Sequence, residues 1–379
     1  MPVNFDNAAT TFPKPESVLR AAADAAARLG GNAGRGGHSL AMKSSEAVYS
    51  ARETAASFFG AQPENTVFTP NCTYALNMAI HGVMRGGGHL IISSLEHNSA
   101  ARPAAALAAE KRITLSVAEV YPETERTVES FRRLMRPDTK AVVCTLASNV
   151  TGQLIPWREI AALCRSRGVC FIADGAQACG LTDINIGEGI DILCTAGHKG
   201  LYGLSGTGLL ISSGNYPIYP IIQGGTGTAS KSLEQPVLLP ESLESGTLNI
   251  PGIMSLKAGC EFVRRTGIGN IRAHEDAVCR RFIRGLEDVP GVRIYRSRKA
   301  EYVPIVSFTV EGTEPEKIAG KLSDAGYCLR AGFHCAALAH SYLGTDNGTV
   351  RFAPSVFSRA QDASALAATI KQIVKNKNL

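Results

Sequence analysis

The chain has 379 residues, of which 45% are apolar and 19% charged, a composition that fits a folded globular protein and argues against disorder. Its formal charge of +6 is spread along the sequence with no basic arm or stripe, so nucleic-acid binding is set aside. No apolar run approaches the roughly 18 residues that a bilayer span needs, and the opening MPVNFDNAATTFPKP lacks a charged-then-apolar signal pattern, so the expectation is a cytoplasmic protein without membrane attachment.

In chain order, NTVFTP (65–70), HLIISS (89–94), ITLSVAEV (113–120), KAVVCTL (140–146), VCFIAD (169–174), DILCTA (191–196) and GTGLLISS (206–213) read as buried strands. Between several of them lie helical segments: ALNMAIHGV (75–83), SAARPAAALAAEKR (99–112), VESFRRLMR (128–136) and WREIAALCRSRG (157–168). Strands alternating with helices predict a largely parallel sheet covered on both faces. The last two strands are joined by a short loop, which predicts one antiparallel neighbour and hence a mixed sheet. Residues 212–247, rich in Gly, Pro, Ser and Thr, read as a long functional loop or subunit contact. After about residue 250 come two long helices (252–267 and 270–289), the strands VRIY and VPIVSFTV, a helix at PEKIAGKLSDAG and a final helix, which together predict an α+β lobe.

Ten cysteines are scattered through the chain, several inside apolar runs, and read as small core residues in a reducing compartment. There is no CxxC pair and no HExxH, so no metal site is expected.

The segment TAGHKGLYGLSGTG (195–208) holds a single lysine, Lys199. A P-loop would need glycine directly before that lysine and a hydroxyl after it, but His198 and Gly200 stand there. Glycines 203, 206 and 208 do not sit between a strand and a helix, so the dinucleotide fingerprint fails too. A solvated surface lysine remains open. Upstream, Asp174 ends an apolar strand, the place where ligands bind in open α/β sheets. A carboxylate there suits the protonated pyridine nitrogen of pyridoxal phosphate, whose aldehyde bonds a lysine amine. The plainer alternative is an aspartate capping a helix.

Nine fragments carry a wider resemblance: FDNAATT (5–11), NAGRGGH (32–38), EHNS (96–99), SNVTG (148–152), ADGAQ (173–177), GHK (197–199), ESGTLN (244–249), RAGFHCA (330–336) and VR (350–351). In this order they resemble the class V aminotransferase-like branch of fold-type I pyridoxal phosphate enzymes, in particular the cysteine desulfurases and selenocysteine lyases. The resemblance implies an α/β fold with a large domain over 16–254, built on a mixed, mostly parallel seven-stranded sheet, and a smaller α+β domain from 1–15 and 255–379. It also implies a homodimer.

On this resemblance Lys199 would carry pyridoxal 5'-phosphate and move the α-proton, and Asp174 would keep the ring nitrogen protonated. Gln177 and Asn149 would bond the ring oxygen, and His97 would stack on the ring. Thr73, the helix start at Cys72, His198, and Thr247 of the opposite subunit would hold the phosphate. Arg351 would grip a substrate carboxylate, with Asn149 and Arg35 also facing the substrate. Two departures weaken the phosphate cup: Ala196 stands where relatives carry a hydroxyl, with Thr195 one place earlier, and Asn71-Cys72-Thr73 replaces a GTT run.

Cys335 discriminates among reactions. A desulfurase needs a thiolate to take sulfur from L-cysteine as a persulfide and leave alanine, and Arg330, His334 and the turn at Gly332 are the expected sources of its activation. A selenocysteine lyase, another carbon-sulfur lyase or an aminotransferase would share the cofactor residues. The short spacing around Cys335 resembles the group whose cysteine sits on an ordered segment, implying slow turnover without a sulfur-acceptor protein.

Overall fold

The computed structural model describes residues 2–34, 36–228 and 231–375. In chain order they form β1 (Val3–Asn4), α1 (Glu16–Arg28), α2 (Ser39–Phe58), β2 (Thr66–Thr69), α3 (Cys72–Val83), β3 (His89–Ser93), α4 (Asn98–Ala109), β4 (Thr114–Ala118), α5 (Thr124–Leu134), β5 (Thr139–Thr145), α6 (Trp157–Ser166), β6 (Cys170–Asp174), β7 (Ile192–Ala196) and β8 (Gly208–Ser212). The described residues of 213–249 contain neither helix nor strand. Beyond them come α7 (Ile250–Thr266), α8 (Ile268–Leu286), β9 (Val292–Ile294), β10 (Val306–Val310), α9 (Pro315–Asp324), β11 (Tyr327–Cys328), β12 (Arg330–Gly332), α10 (Ala337–Leu343), β13 (Thr349–Phe352) and α11 (Ala360–Lys375).

Seven strands form the main sheet in the order β2-β8-β7-β6-β5-β3-β4. From β7 to β4 every pairing is parallel, while β8 runs antiparallel to β7 and to β2. The mixed, mostly parallel sheet expected from the sequence is therefore present, as is the antiparallel turn between its last two strands. One strand departs from expectation. The segment read as a buried strand at 113–120 forms β4 at the sheet edge, with Thr114 and Val117 exposed, because no further strand covers it.

Strand periodicity divides the sheet's residues between two cores. On β5 and β6, Ala141, Val143, Cys170 and Ile172 pack with Leu76 and Ile80 of α3 and Leu107 of α4. Their neighbours Val142, Cys144, Phe171 and Ala173 pack on the other face with Val48 of α2, Ile160 of α6 and Ile253 of α7. Strands buried on both faces must be continuously apolar, which is why they were legible.

A second, antiparallel sheet, β12-β13-β10-β9, has its own core with α8, α9 and α11. Phe282 stacks on Phe352 at 4.1 Å between ring centres, and Phe5 meets Phe352 at 4.5 Å. The chain's opening residues thus belong to this core, and β1 pairs in parallel with β11. The long 213–249 stretch is pinned by a buried two-pronged ion pair: Arg52 of α2 donates to both carboxylate oxygens of Glu244, at 2.6 and 2.8 Å. Among the described residues no helix is long and apolar enough to cross a membrane.

Candidate active site

The carboxyl ends of β5, β6 and β7 and the amino ends of α3 and α4 converge on a cavity of about 220 Å³. Lys199, Asp174, His97, His198, Asn149, Gln177, Cys72, Thr73 and Arg351 all line it. Nine residues expected from scattered fragments are thus brought together at the edge where open α/β sheets bind ligands. Thr247 is not among them; it lines a neighbouring surface pocket with Tyr74, Ile222 and Asn249. Arg35 lies outside the described residues.

Asp174, the last residue of β6, is 2% exposed. Its Oδ1 accepts hydrogen bonds from the Ala176 amide at 2.9 Å and the Cys72 thiol at 3.5 Å. Burial raises its pKa, opposed by the Ala176 bond and by the charge of Lys199. Burial lowers the Lys199 pKa, with Asp174 acting against the shift. A buried amine facing a buried carboxylate across one cavity is an arrangement in which each stabilises the other's charge. Lys199 is delivered by the turn after β7, and that turn requires Gly197: a Cβ there would lie 2.2 Å from Thr207 Oγ1. The Cys72 thiol is held neutral by burial and by Asp174, so this residue turns its side chain toward the carboxylate and offers the cavity its amide.

The start of α3 is capped by Asn71, whose side chain accepts from the Tyr74 amide at 3.0 Å. The amides of Cys72 and Thr73 precede any intrahelical acceptor, which makes this helix end an anion site. Beside it, His198 Nδ1 is buried with no hydrogen-bond partner, and burial pushes the ring's pKa down to about 4. Ala196 lines the cavity while the Thr195 hydroxyl turns away to the Gly175 carbonyl at 3.4 Å, so Thr195 does not replace the missing hydroxyl.

His97 caps α4, its Nδ1 accepting from the Ser99 amide at 3.1 Å. That bond leaves the ring proton on Nε2, and burial lowers the ring's pKa to about 4, so the imidazole is neutral at pH 7. Asn149 donates to the His334 carbonyl at 2.7 Å and keeps a buried, unpartnered Oδ1. Gln177 donates to the Ala8 carbonyl at 2.9 Å.

Arg351 is 1% exposed; it donates to the Asn149 carbonyl at 3.0 Å and to Asp6 at 2.9 Å, and its Nε is buried without a partner. Directly across the β12–β13 ladder stands Arg330, which also lines the cavity. Arg330 donates to Cys335 Sγ at 3.2 Å, placing an exposed thiol at the cavity's rim under a guanidinium. His334, the other expected source of positive charge, is buried, bonded to Thr349 Oγ1 at 2.9 Å, and driven by burial to a pKa of about 2. It stays neutral and contributes no cation to the thiol. The backbone at both His334 (φ 49°) and Cys335 (φ 56°) is left-handed, a conformation costing roughly 1–2 kcal/mol per residue. Their carbonyls are held by Asn149 and by the Asn98 amide, at 2.7 and 2.8 Å, so the strained turn is fixed from two sides.

Sequence reasoning did not assign Asp6, Ala8 or Ala9 to the site. Asp6 supplies the counter-charge of Arg351, and Ala8 and Ala9 form part of the cavity wall. Glu96 was missed as well: it lies buried behind His97, accepts from Ser93 Oγ and the Thr145 amide at 2.5 and 2.6 Å, and is pushed by burial up to about 8. The fragments FDNAATT and EHNS contain these residues, but nothing in either states which side chain turns inward.

The class-V aminotransferase family model matches residues 3–366. A probable cysteine desulfurase of Methanothermobacter thermautotrophicus is 29% identical over 376 residues, covering 97% of this chain and 94% of the relative. One from Xylella fastidiosa is 30% identical over 351 residues, covering 90% of this chain and 84% of its own. The solved apo structure of a cysteine desulfurase from Thermococcus onnurineus superposes with a TM-score of 0.91 at 28% identity, covering 99% of this chain and 95% of that one. The chain belongs to the class-V aminotransferase family and, within it, to the cysteine desulfurase group.

Proposed function

We propose that the protein is a pyridoxal 5'-phosphate-dependent cysteine desulfurase that moves the sulfur of L-cysteine onto Cys335 as a persulfide and leaves L-alanine. The observation that carries the reading is that Lys199 and Asp174 line one cavity whose rim holds Cys335 under Arg330.

The residues fit the cofactor. Unpartnered buried atoms on His198 and Asn149, a helix amino end at Cys72 and Thr73, a buried carboxylate and a buried amine surround the same space. Asp174 would face the ring nitrogen, His198 and the α3 amides the phosphate, Asn149 and Gln177 the ring oxygen, and His97 the ring face. When bound, the cofactor supplies an aldehyde that bonds amines and a ring that takes up electrons released at the substrate's Cα.

The chain supplies the rest. Lys199, its pKa lowered by burial, is fitted to take and return the proton at the substrate Cα. Arg351, fixed by Asp6 and the Asn149 carbonyl, offers Nε and its remaining N–H groups to a carboxylate. Cys335 Sγ, to which Arg330 donates at 3.2 Å, attacks the substrate sulfur: the Cβ–S bond breaks, an S–S bond forms, and Cβ gains a proton. L-cysteine and one thiol become L-alanine and one persulfide, with no outside oxidant or reductant.

A sulfur-acceptor protein is the proposed partner, and Cys335, which is exposed, leaves its sulfur open to one. Thr247 is assigned to the phosphate of a second copy in a homodimer, and the same 213–249 stretch leaves the large apolar side chains of Tyr219, Ile221, Ile222, Val237 and Leu238 exposed, as such a contact would use. All ten cysteines are free, which suits a reducing, cytoplasmic setting.

The test is mass spectrometry of the protein after incubation with L-cysteine. One extra sulfur on the peptide containing Cys335, with matching alanine, is the expected result; alanine without that sulfur sinks the reading. Relative turnover of cysteine, selenocysteine and cystine separates it from a selenocysteine lyase.

A further inference from the structure

We propose that Lys14 is a positioning residue for Lys199, acting with Thr10 and Thr11 as a strap that grips the two carbonyls flanking the Cα of Lys199. The inference rests on the reading that Lys199 is the reacting amine.

The His198 carbonyl lies within hydrogen-bond distance of four donor atoms from this segment: the Thr11 amide at 3.1 Å, Thr10 Oγ1 at 3.2 Å, Thr11 Oγ1 at 3.1 Å and Lys14 Nζ at 2.8 Å. A carbonyl oxygen has two lone pairs, so this density exceeds what saturating one acceptor requires. Thr11 Oγ1 also reaches the Lys199 carbonyl at 3.1 Å, and it accepts from Lys14 Nζ at 2.8 Å. The Thr11 hydroxyl accepts from the ammonium through one of its two lone pairs and has a single proton, which goes to one of the two carbonyls at a time. Lys14 therefore orients Thr11 as well as bonding His198 directly.

Lys14 is half-buried, and burial is the cause that lowers its pKa, to about 8; among the described residues no carboxylate pairs with it to offset that cost. A cation withdrawn from water without an anion is unfavourable unless strong acceptors replace its hydration. Here the replacements are one backbone carbonyl and one hydroxyl, both directed at the lysine turn. Lys14 does not line the cavity. Its influence on chemistry must pass through the backbone that carries Lys199, which makes it a positioning residue and not a catalytic one.

A lysine side chain has four rotatable bonds, so the reach and direction of its amine depend on where the flanking peptides hold its Cα. Within the turn itself the Lys199 carbonyl accepts only a local bond, from the Tyr202 amide at 2.8 Å. The strap adds partners from 184 to 188 residues away, tying the turn to a segment that also forms the cavity wall at Ala8 and Ala9.

The test compares Lys14→Met, Lys14→Arg and Thr11→Val with the wild type in two measurements that do not require desulfurase turnover. The first is amide hydrogen exchange of residues 197–203 in cofactor-free protein; the second is the pH titration of visible absorbance in cofactor-loaded protein. Lys14→Met is expected to speed exchange in that peptide by about tenfold and to shift the absorbance midpoint by about half a pH unit or more. Lys14→Arg, which restores a cation and its donors, is expected to stay near wild type in both, and Thr11→Val to resemble Lys14→Met. Should Lys14→Met match the wild type in either measurement, the positioning role is overturned. A wild type that binds the cofactor yet makes no alanine from cysteine would refute the desulfurase reading while leaving the strap to be judged by these two measurements.

Discussion

Cys335 is the residue on which the reaction turns, and its surroundings separate it from the eight buried thiols, all of which have pKa values raised first of all by burial. Those are inert core atoms; Cys335 is exposed and touches a guanidinium. Because its side chain is not part of the cavity wall, Cys335→Ala should bind the cofactor with unchanged colour while sulfur release from L-cysteine falls by about a hundredfold or more. Absorbance spectra and paired alanine and sulfide assays check this, and a variant that still releases sulfide at the wild-type rate contradicts it. At this scale the sequence was informative where chemistry restricts residue type. A lysine in a glycine-rich turn and an aspartate at a strand end admit few explanations once paired. It was misleading where adjacency stood in for direction: His334 precedes Cys335, yet the left-handed turn sends its ring inward to Thr349. Asp6 could not be paired with Arg351 by inspection, since 345 positions separate them.

Among the elements, the strands were the most legible, because burial on both faces demands an unbroken apolar run. Helices α1 and α2 went unassigned. Their buried faces are built largely from alanine, with Ala22 and Ala25 in one and Ala41, Ala51, Ala55 and Ala56 in the other, and small residues give a faint periodic signal. Strand β13 was hidden by the charge of Arg351 at its centre. Helix α8 makes a contact with a measurable consequence. Its Glu275, 3% exposed, accepts from the Tyr202 hydroxyl at 3.2 Å, three residues beyond Lys199, and burial raises its pKa from 4.5 to about 8, with Asp276 adding to and Arg272 opposing the shift. The folded protein therefore keeps a proton that the unfolded chain gives up near pH 4.5, so stability falls as pH rises from there to about 8, by at most about 1.4 kcal/mol per unit. Glu275→Gln cannot ionise and should flatten that slope. Urea unfolding at several pH values between those limits is the check, and parallel curves for the two proteins would show that Glu275 does not titrate as described.

At the level of the whole molecule, the active site is assembled from both sheets and, on the present proposal, from two subunits. If Thr247 completes a neighbouring copy's site, Leu238→Asp on the exposed apolar stretch should yield monomers that lose the cofactor, with far-ultraviolet circular dichroism unchanged. Sedimentation with absorbance detection at the cofactor's wavelength reads both properties at once, and a monomer that retains its cofactor rules the shared site out. The alternation of elements predicted the main sheet well, whereas the union of the two chain ends in one lobe had no local signature. That union has a consequence for biosynthesis. Phe5 and Asp6 stay without their partners until Phe352 and Arg351, the latter 345 positions beyond Asp6, have been translated. Both are thus among the last residues of this lobe to settle, and a product stopping short of β13 would leave Phe5 and Asp6 without those partners.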